Sequence, residues 1–241
     1  MKRLLAVVVA VLALPATVSG GTPITVFAAA SLLEVLPRID KAPRYSFAGS
    51  DQLAIQIQQG APADVFAAAS PKQPELLFRN GIVRKPVVFA TNKLIVLVPR
   101  GNPAHIRTAY DLRREGVKIV IGDRTVPIGT YTRQILDALG ITAKVIKNVV
   151  SEESDVKGIV TKVALGEADA GFVYRTDAKP VASRTLSVAL PVWAQPSIRY
   201  EIAVVKSSAR PQAAKAFVKK LLSKRGRLLL KQAGFGLPEQ R

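Results

Sequence analysis

A chain with no cysteine and one histidine, His105, has few ways to make or break covalent bonds. Thiolate nucleophiles, thiolate zinc sites and histidine-cluster metal sites are excluded, and one possible histidine base is left. There is no P-loop and no nucleophile elbow, so an exported oxyanion hydrolase fails on inventory. What the chain offers instead is hydrogen-bond donors where short apolar runs give way to helical spacing. Ser31, Ser50 after Ala48-Gly49, the segment Val126-Pro127-Ile128-Gly129-Thr130 and the run Ser154-Asp155-Val156-Lys157 all fall at such places. A helix start presents unpaired backbone N–H groups at the positive end of the helix dipole, which suits an anion. Each is weak alone, because every strand-to-helix connection needs a cap. At Ser31, Glu34 three residues on makes a capping box an equally good reading.

The elements that must position these donors alternate in type. Residues 24–29, 45–48, 65–68, 94–98, 117–121, 145–149 and 170–174 are brief apolar runs bounded by Gly, Pro, Asp or Ser, which read as buried parallel strands. Residues 32–39, 52–59, 71–80, 131–139 and 155–165 carry apolar residues at helical spacing, and 209–232 reads as a terminal helix or helix pair. The class is α/β. The string Val-Phe-Ala-Ala-Ala-Ser occurs twice, at Val26–Ser31 and Val65–Ser70. Pro71 suits a first helical position, so Ser70 is expected to be a cap and not a ligand contact.

The first twenty residues read as a targeting segment. Lys2 and Arg3 precede the apolar run Leu4 to Leu14, and Val18-Ser19-Gly20 offers small residues for cleavage. That run is far shorter than the roughly 20 residues a membrane span needs. With Lys plus Arg at 35 against 17 Asp plus Glu, the net charge is +18, a field that gathers anions. Residues 206–241 alone carry ten Lys or Arg and a single acid, Glu239. An exported cationic protein for nucleic acid or an anionic surface is therefore an alternative. Aromatic residues make up only 6% and no nucleic-acid motif is present, so a solvated helix face is the better reading and no nucleic acid is expected.

Four blocks carry a more specific resemblance: Ile24–Leu32 (ITVFAAASL), Ser46–Ala54 (SFAGSDQLA), Gly60–Phe66 (GAPADVF) and Gly171–Ala178 (GFVYRTDA). In order and spacing they resemble the periplasmic molybdate-binding proteins of ABC importers, over essentially the whole chain after the leader. The resemblance implies a two-lobed clamp of the periplasmic binding protein type II, each lobe a mainly parallel sheet flanked by helices. Lobe 1 is expected over 21–90 plus 200–241 and lobe 2 over 91–199, after a signal peptide at 1–20. It implies ligand contacts at Ser31 and Ser50 from the first lobe and at Ile128, Val156 and Tyr174 from the second. Ser and Tyr would give hydroxyls, Ile128 and Val156 backbone N–H. Such a protein has no catalytic residues and no cofactor, and holds molybdenum only as the oxyanion. It works as a periplasmic monomer, with no lipid-anchor Cys, that delivers molybdate, and tungstate too, to a membrane permease with ATP-binding subunits. Another oxyanion such as sulfate is the alternative ligand.

Molybdate near neutral pH is a fully deprotonated tetrahedral dianion, so every partner must donate. A rigid ring of neutral donors then selects by size: sulfate is too small, tungstate fits, and phosphate brings a proton with no acceptor waiting. Three features depart from the family. The segment Leu36–Pro43 is short, so the first helix is expected to be truncated. Asp51 follows Ser50 and is expected to face outward at the helix start. Ile128 is bulky, which a backbone donor tolerates. Tyr174 by itself reads as a core aromatic, and Asp64, Asp169 and Asp177 read as turn or cap residues. His105 reads as solvated, and Trp193 as part of the connection between lobes or of the core.

Overall fold

Residues 22–239 are described by a computed structural model; the expected signal peptide lies outside them. In the strands Thr25–Ala29 (β1) and Val65–Ala68 (β3), every residue but Thr25 is apolar because both faces are covered. Between them lie a 3-10 turn at Ala30–Leu32, α1 (Leu36–Ile39), β2 (Arg44–Ala48) and α2 (Ser50–Gln58). The first helix is indeed truncated, to four residues. After β3 come α3 (Lys72–Arg79) and β4 (Val87–Asn92).

The chain then builds a second sheet from β5 (Leu94–Pro99), β6 (Ile119–Gly122), α4 (Pro127–Ala138), α5 (Thr142–Ile146), β7 (Val149–Glu153), α6 (Val156–Ala164), β8 (Ala170–Tyr174), α7 (Arg175–Ala178) and β9 (Thr185–Ala189). It returns through β10 (Ile198–Val204), a strand of the first sheet, and closes with the helix pair α8 (Pro211–Leu222) and α9 (Lys224–Ala233).

The sheets run β2-β1-β3-β10-β4 and β7-β6-β8-β5-β9. Each is mixed, not mainly parallel: β1 pairs in parallel with β2 and β3, and β6 with β7 and β8, while β10 and β5 pair antiparallel with both neighbours. The two sheets therefore follow one plan, in which β1 corresponds to β6, β2 to β7 and β3 to β8. Among the described residues the chain passes between sheets twice, through Lys93 and through residues 190–197. The Gln195 amide ties these passages: its Oε1 accepts from Leu94 N–H at 2.9 Å and its Nε2 donates to Leu94 C=O at 2.8 Å. Trp193, in a 3-10 turn of the second passage, is exposed and so belongs to the connection, not the core.

Three strands escaped the sequence reading: β4, β9 and β10. The strand expected at 145–149 is displaced. Val145 and Ile146 instead end the short helix α5, and the strand begins at Val149, since brief apolar runs fit either period. One hydrophobic core runs through both sheets. Where they meet, Tyr200 is edge-on to Phe89, Tyr174 and Phe235, at centroid distances of 6.1, 5.7 and 5.4 Å.

Candidate functional site

The carboxyl ends of the parallel strands of both sheets converge on a small cavity of about 20 Å³. Strand ends are where open α/β sheets place ligands. The first sheet contributes Ala29-Ala30-Ser31 after β1, Ala48-Gly49-Ser50 after β2 and Ala69 after β3; the second contributes Val126-Pro127-Ile128, Asp155-Val156 and Tyr174. All five residues implied by the resemblance therefore line one cavity. Despite the cationic chain, no Lys or Arg lies in this lining.

Ser31, in the 3-10 turn, is buried and makes no side-chain cap there; its Oγ lies 2.9 Å from the Tyr200 hydroxyl. The capping box with Glu34 does not form, because Glu34 is exposed and its carboxylate turns toward Lys157 at 3.9 Å. Ser50 is the first residue of α2, with Gly49 as its cap position. Ser50 Oγ accepts from Ala69 N–H at 3.1 Å, leaving its own proton for the cavity. Gly49 is required by close approach: a Cβ there would stand 2.5 Å from the Ser154 carbonyl oxygen of the opposite half.

In the second half, Pro127 opens α4, so Ile128 lies in the first turn, where backbone N–H groups have no intrahelical acceptor. Gly129 lets the preceding loop fold back, since a Cβ there would collide with the carbonyls of Gly122 and Asp123. Asp155, the only charged residue of the lining, caps α6: its Oδ1 accepts from Lys157 N–H at 2.7 Å and Gly158 N–H at 3.3 Å. Val156 N–H, first in that helix, is outside the cap. The Tyr174 hydroxyl is buried without a hydrogen-bond partner, and burial holds its pKa well above the usual value, so it stays a neutral donor.

Ser70 lies outside the lining. Its Oγ accepts from Lys72 N–H at 3.3 Å and donates to Gln73 Oε1 at 2.7 Å, so it supports the start of α3 as expected of a capping serine, although the cap position itself is Pro71. Asp51 faces away from the cavity, with Oδ2 accepting from Thr125 Oγ1 of the other half at 2.9 Å.

The acids read as turn or cap residues are more deeply engaged. Asp64 is buried against Arg210 at 2.9 Å, and Asp169 accepts from Lys118 N–H at 2.8 Å. Asp177 is buried with Lys157 Nζ at 3.1 Å; desolvation pushes its carboxyl up to about 6 against the opposing pull of that lysine. His105 is exposed, as expected.

Tyr200 and Asn92, beside Ser31, were not singled out from the sequence. The alternation Ile198, Tyr200, Ile202 against Arg199, Glu201 carries the strand signal that marks Tyr200 as inward-facing.

A cavity at converging strand ends, lined by neutral donors from two halves, is a receptor for a small anion. In keeping with this, the profile of the bacterial extracellular solute-binding proteins matches residues 24–236, and the chain belongs to that family. It is 40% identical over 229 residues to the molybdate-binding protein ModA of Mycobacterium tuberculosis, covering 91% of this chain and 86% of the relative. ModA of Escherichia coli is 31% identical over 236 residues, covering 88% of each. Among solved structures, the periplasmic molybdate-binding protein of Azotobacter vinelandii superposes with a TM-score of 0.80 at 24% identity, covering 90% of this chain and all of that one. The sulfate-binding protein SubI of Mycobacterium tuberculosis shares the fold at TM-score 0.76 and 20% identity, covering 89% of this chain and 86% of that one. These relatives are binding proteins. No helix among the described residues is long and apolar enough to cross a membrane.

Proposed function

We propose that the protein captures molybdate, with tungstate as an equal fit, by closing two lobes around it, and releases it to the permease and ATP-binding subunits of an ABC importer. The observation that carries this reading is the lining itself: donors at Ser31, Ser50, Ile128, Val156 and Tyr174 around one cavity, with no cationic side chain among them. A dianion that can only accept hydrogen bonds matches five neutral donors, three of them hydroxyls and two backbone N–H groups at helix starts. The lobes are taken as 21–90 with 200–241, and 91–199; strands of the first sheet end at Asn92 and resume at Ile198, within two residues of those bounds. The protein turns nothing over and carries no cofactor. It acts as a periplasmic monomer after removal of residues 1–20 and has no cysteine for a lipid anchor.

Calorimetric titration with molybdate, tungstate, sulfate and phosphate tests the reading. One-to-one binding of the first two, with the others much weaker, is expected. Sulfate binding as tight as molybdate overturns selection by size.

A further inference from the structure

Nothing in the lining explains by itself why the serine hydroxyls should donate into the cavity, since a hydroxyl can equally accept. The hydrogen bonds behind Ser31 bias its direction. Lys93 N–H donates to Asn92 Oδ1 at 2.9 Å. A backbone N–H can only donate, so this contact fixes the amide and puts Nδ2 on the other side. There Nδ2 donates to Thr176 Oγ1 at 3.0 Å and to the Tyr200 hydroxyl at 3.4 Å. The Tyr200 oxygen thus accepts from the amide, and its own proton is left for Ser31 Oγ at 2.9 Å. Ser31 therefore accepts from behind, and its proton is turned to the cavity.

We infer that Tyr200, held by Asn92, is a specificity-determining positioning residue: by donating to Ser31 it occupies one of that hydroxyl's two acceptor sites and polarises its O–H toward the cavity, and so favours fully deprotonated oxyanions over those that carry a proton. The inference rests on the reading of the cavity as an oxyanion site. Ser50 is wired on the same principle by Ala69 N–H, which has no choice but to donate. A deprotonated dianion meets a donor at each serine. A protonated oxyanion brings an O–H that must share each serine oxygen with a donor already bound behind it, so it is the poorer match. Tyr200 touches no ligand in this scheme, because it lies behind Ser31 and outside the lining.

Tyr200→Phe tests the idea, since it removes the hydroxyl and keeps the ring packed against Phe89, Tyr174 and Phe235. Ser31 Oγ is then free to rotate and to accept. Dissociation constants for molybdate and for phosphate, which keeps at least one proton at pH 7, are measured by competition titration on wild type and variant. Molybdate should weaken about tenfold while phosphate holds or tightens, so the preference for molybdate shrinks by about tenfold or more.

Equal weakening of both ligands, or of neither, overturns the inference, because lost packing alone moves the two together. Asn92→Ala frees the phenol without touching its ring and should move the ratio the same way by less; it decides the matter if Tyr200→Phe does not melt like the wild type. Failure of wild type to bind molybdate is instead failure of the proposed function. The ratio is then taken with whichever of tungstate or sulfate the wild type holds, and a wild type that binds no oxyanion sinks both.

Discussion

The two sheets share one strand plan yet supply donors of different kinds after two matched pairs of strands. After β1 the chain makes a three-residue 3-10 turn and offers the Ser31 hydroxyl; after its counterpart β6 it makes the twelve-residue α4 and offers the Ile128 backbone N–H. After β2 comes Ser50, and after its counterpart β7 comes the Val156 N–H. A three-residue turn aligns few peptide dipoles, so a side chain must do what a long helix does with its backbone. At Ser50 a helix of nine residues is present, but its hydroxyl is held from behind by Ala69 at the end of β3. Topology thus decides where donors arrive. Residue type matters at Ser31, Ser50 and Tyr174, where the donor can be erased by changing a side chain, and least at Ile128 and Val156.

The largest effect should come from wedging the two halves apart. Gly49→Ala places a methyl against the Ser154 carbonyl, which cannot give way. Molybdate affinity should fall about a hundredfold or more, since at least two charge-assisted bonds lose their geometry. Calorimetry measures the loss, and X-ray scattering should show a ligand-saturated protein that no longer compacts.

Next come deletions of one donor from each kind. Ser31→Ala and Ser50→Ala remove hydroxyls, Tyr174→Phe removes a phenol and keeps its ring, and Val156→Pro removes only a backbone N–H, because Pro suits the first helical position. Each should weaken molybdate binding about tenfold to a hundredfold, as for a hydrogen bond to an ionised acceptor. Val156→Ala, which keeps the N–H, should cost far less. If the Ala and Pro variants at 156 were equally impaired, the contrast between side-chain and backbone donors would collapse.

Smaller still is Ser70→Ala, in the second copy of the repeated string. It should lower stability by about 1 kcal/mol, seen as a drop in melting temperature, and leave molybdate affinity within about threefold. A binding defect larger than that of Ser31→Ala would reverse the roles given to the two copies. Smallest of all is the response to alkaline pH. Burial raises Tyr174 and Tyr200 well above their ordinary values, and serine does not titrate, so affinity should be flat from about pH 7 to 9. A fall across that window would mean that a donor is losing its proton.

The α/β class was legible because strands covered on both faces, such as Val65–Ala68 and Ala170–Tyr174, are apolar at every position. The edge strand β7 and the antiparallel β10 lack that signature. β10 sets exposed Arg199 and buried Glu201 between its apolar residues, so its pairing, and the mixed character of both sheets, depended on contacts distant in the chain. Ser31, Ser50, Ile128 and Val156 were visible as strand-to-helix junctions. Tyr174 was not, since no local pattern separates a site tyrosine from a core one, and only the family resemblance raised it. Asp177 looked like a turn residue because its partner Lys157 lies on another helix, and sequence distance hides an ion pair that folding creates.

The bidentate grip of Gln195 on Leu94 has a mechanical meaning. The two passages between the sheets are fastened to each other by one side-chain amide, which imitates the next peptide of a strand ladder. Two independent straps would let the halves slide and shear. Riveted together, in the closure proposed above they would bend as one leaf on one pin, the far edge, where Gly49 meets Ser154 and Asp51 meets Thr125, travelling furthest, and Asn92, next to the pin, least.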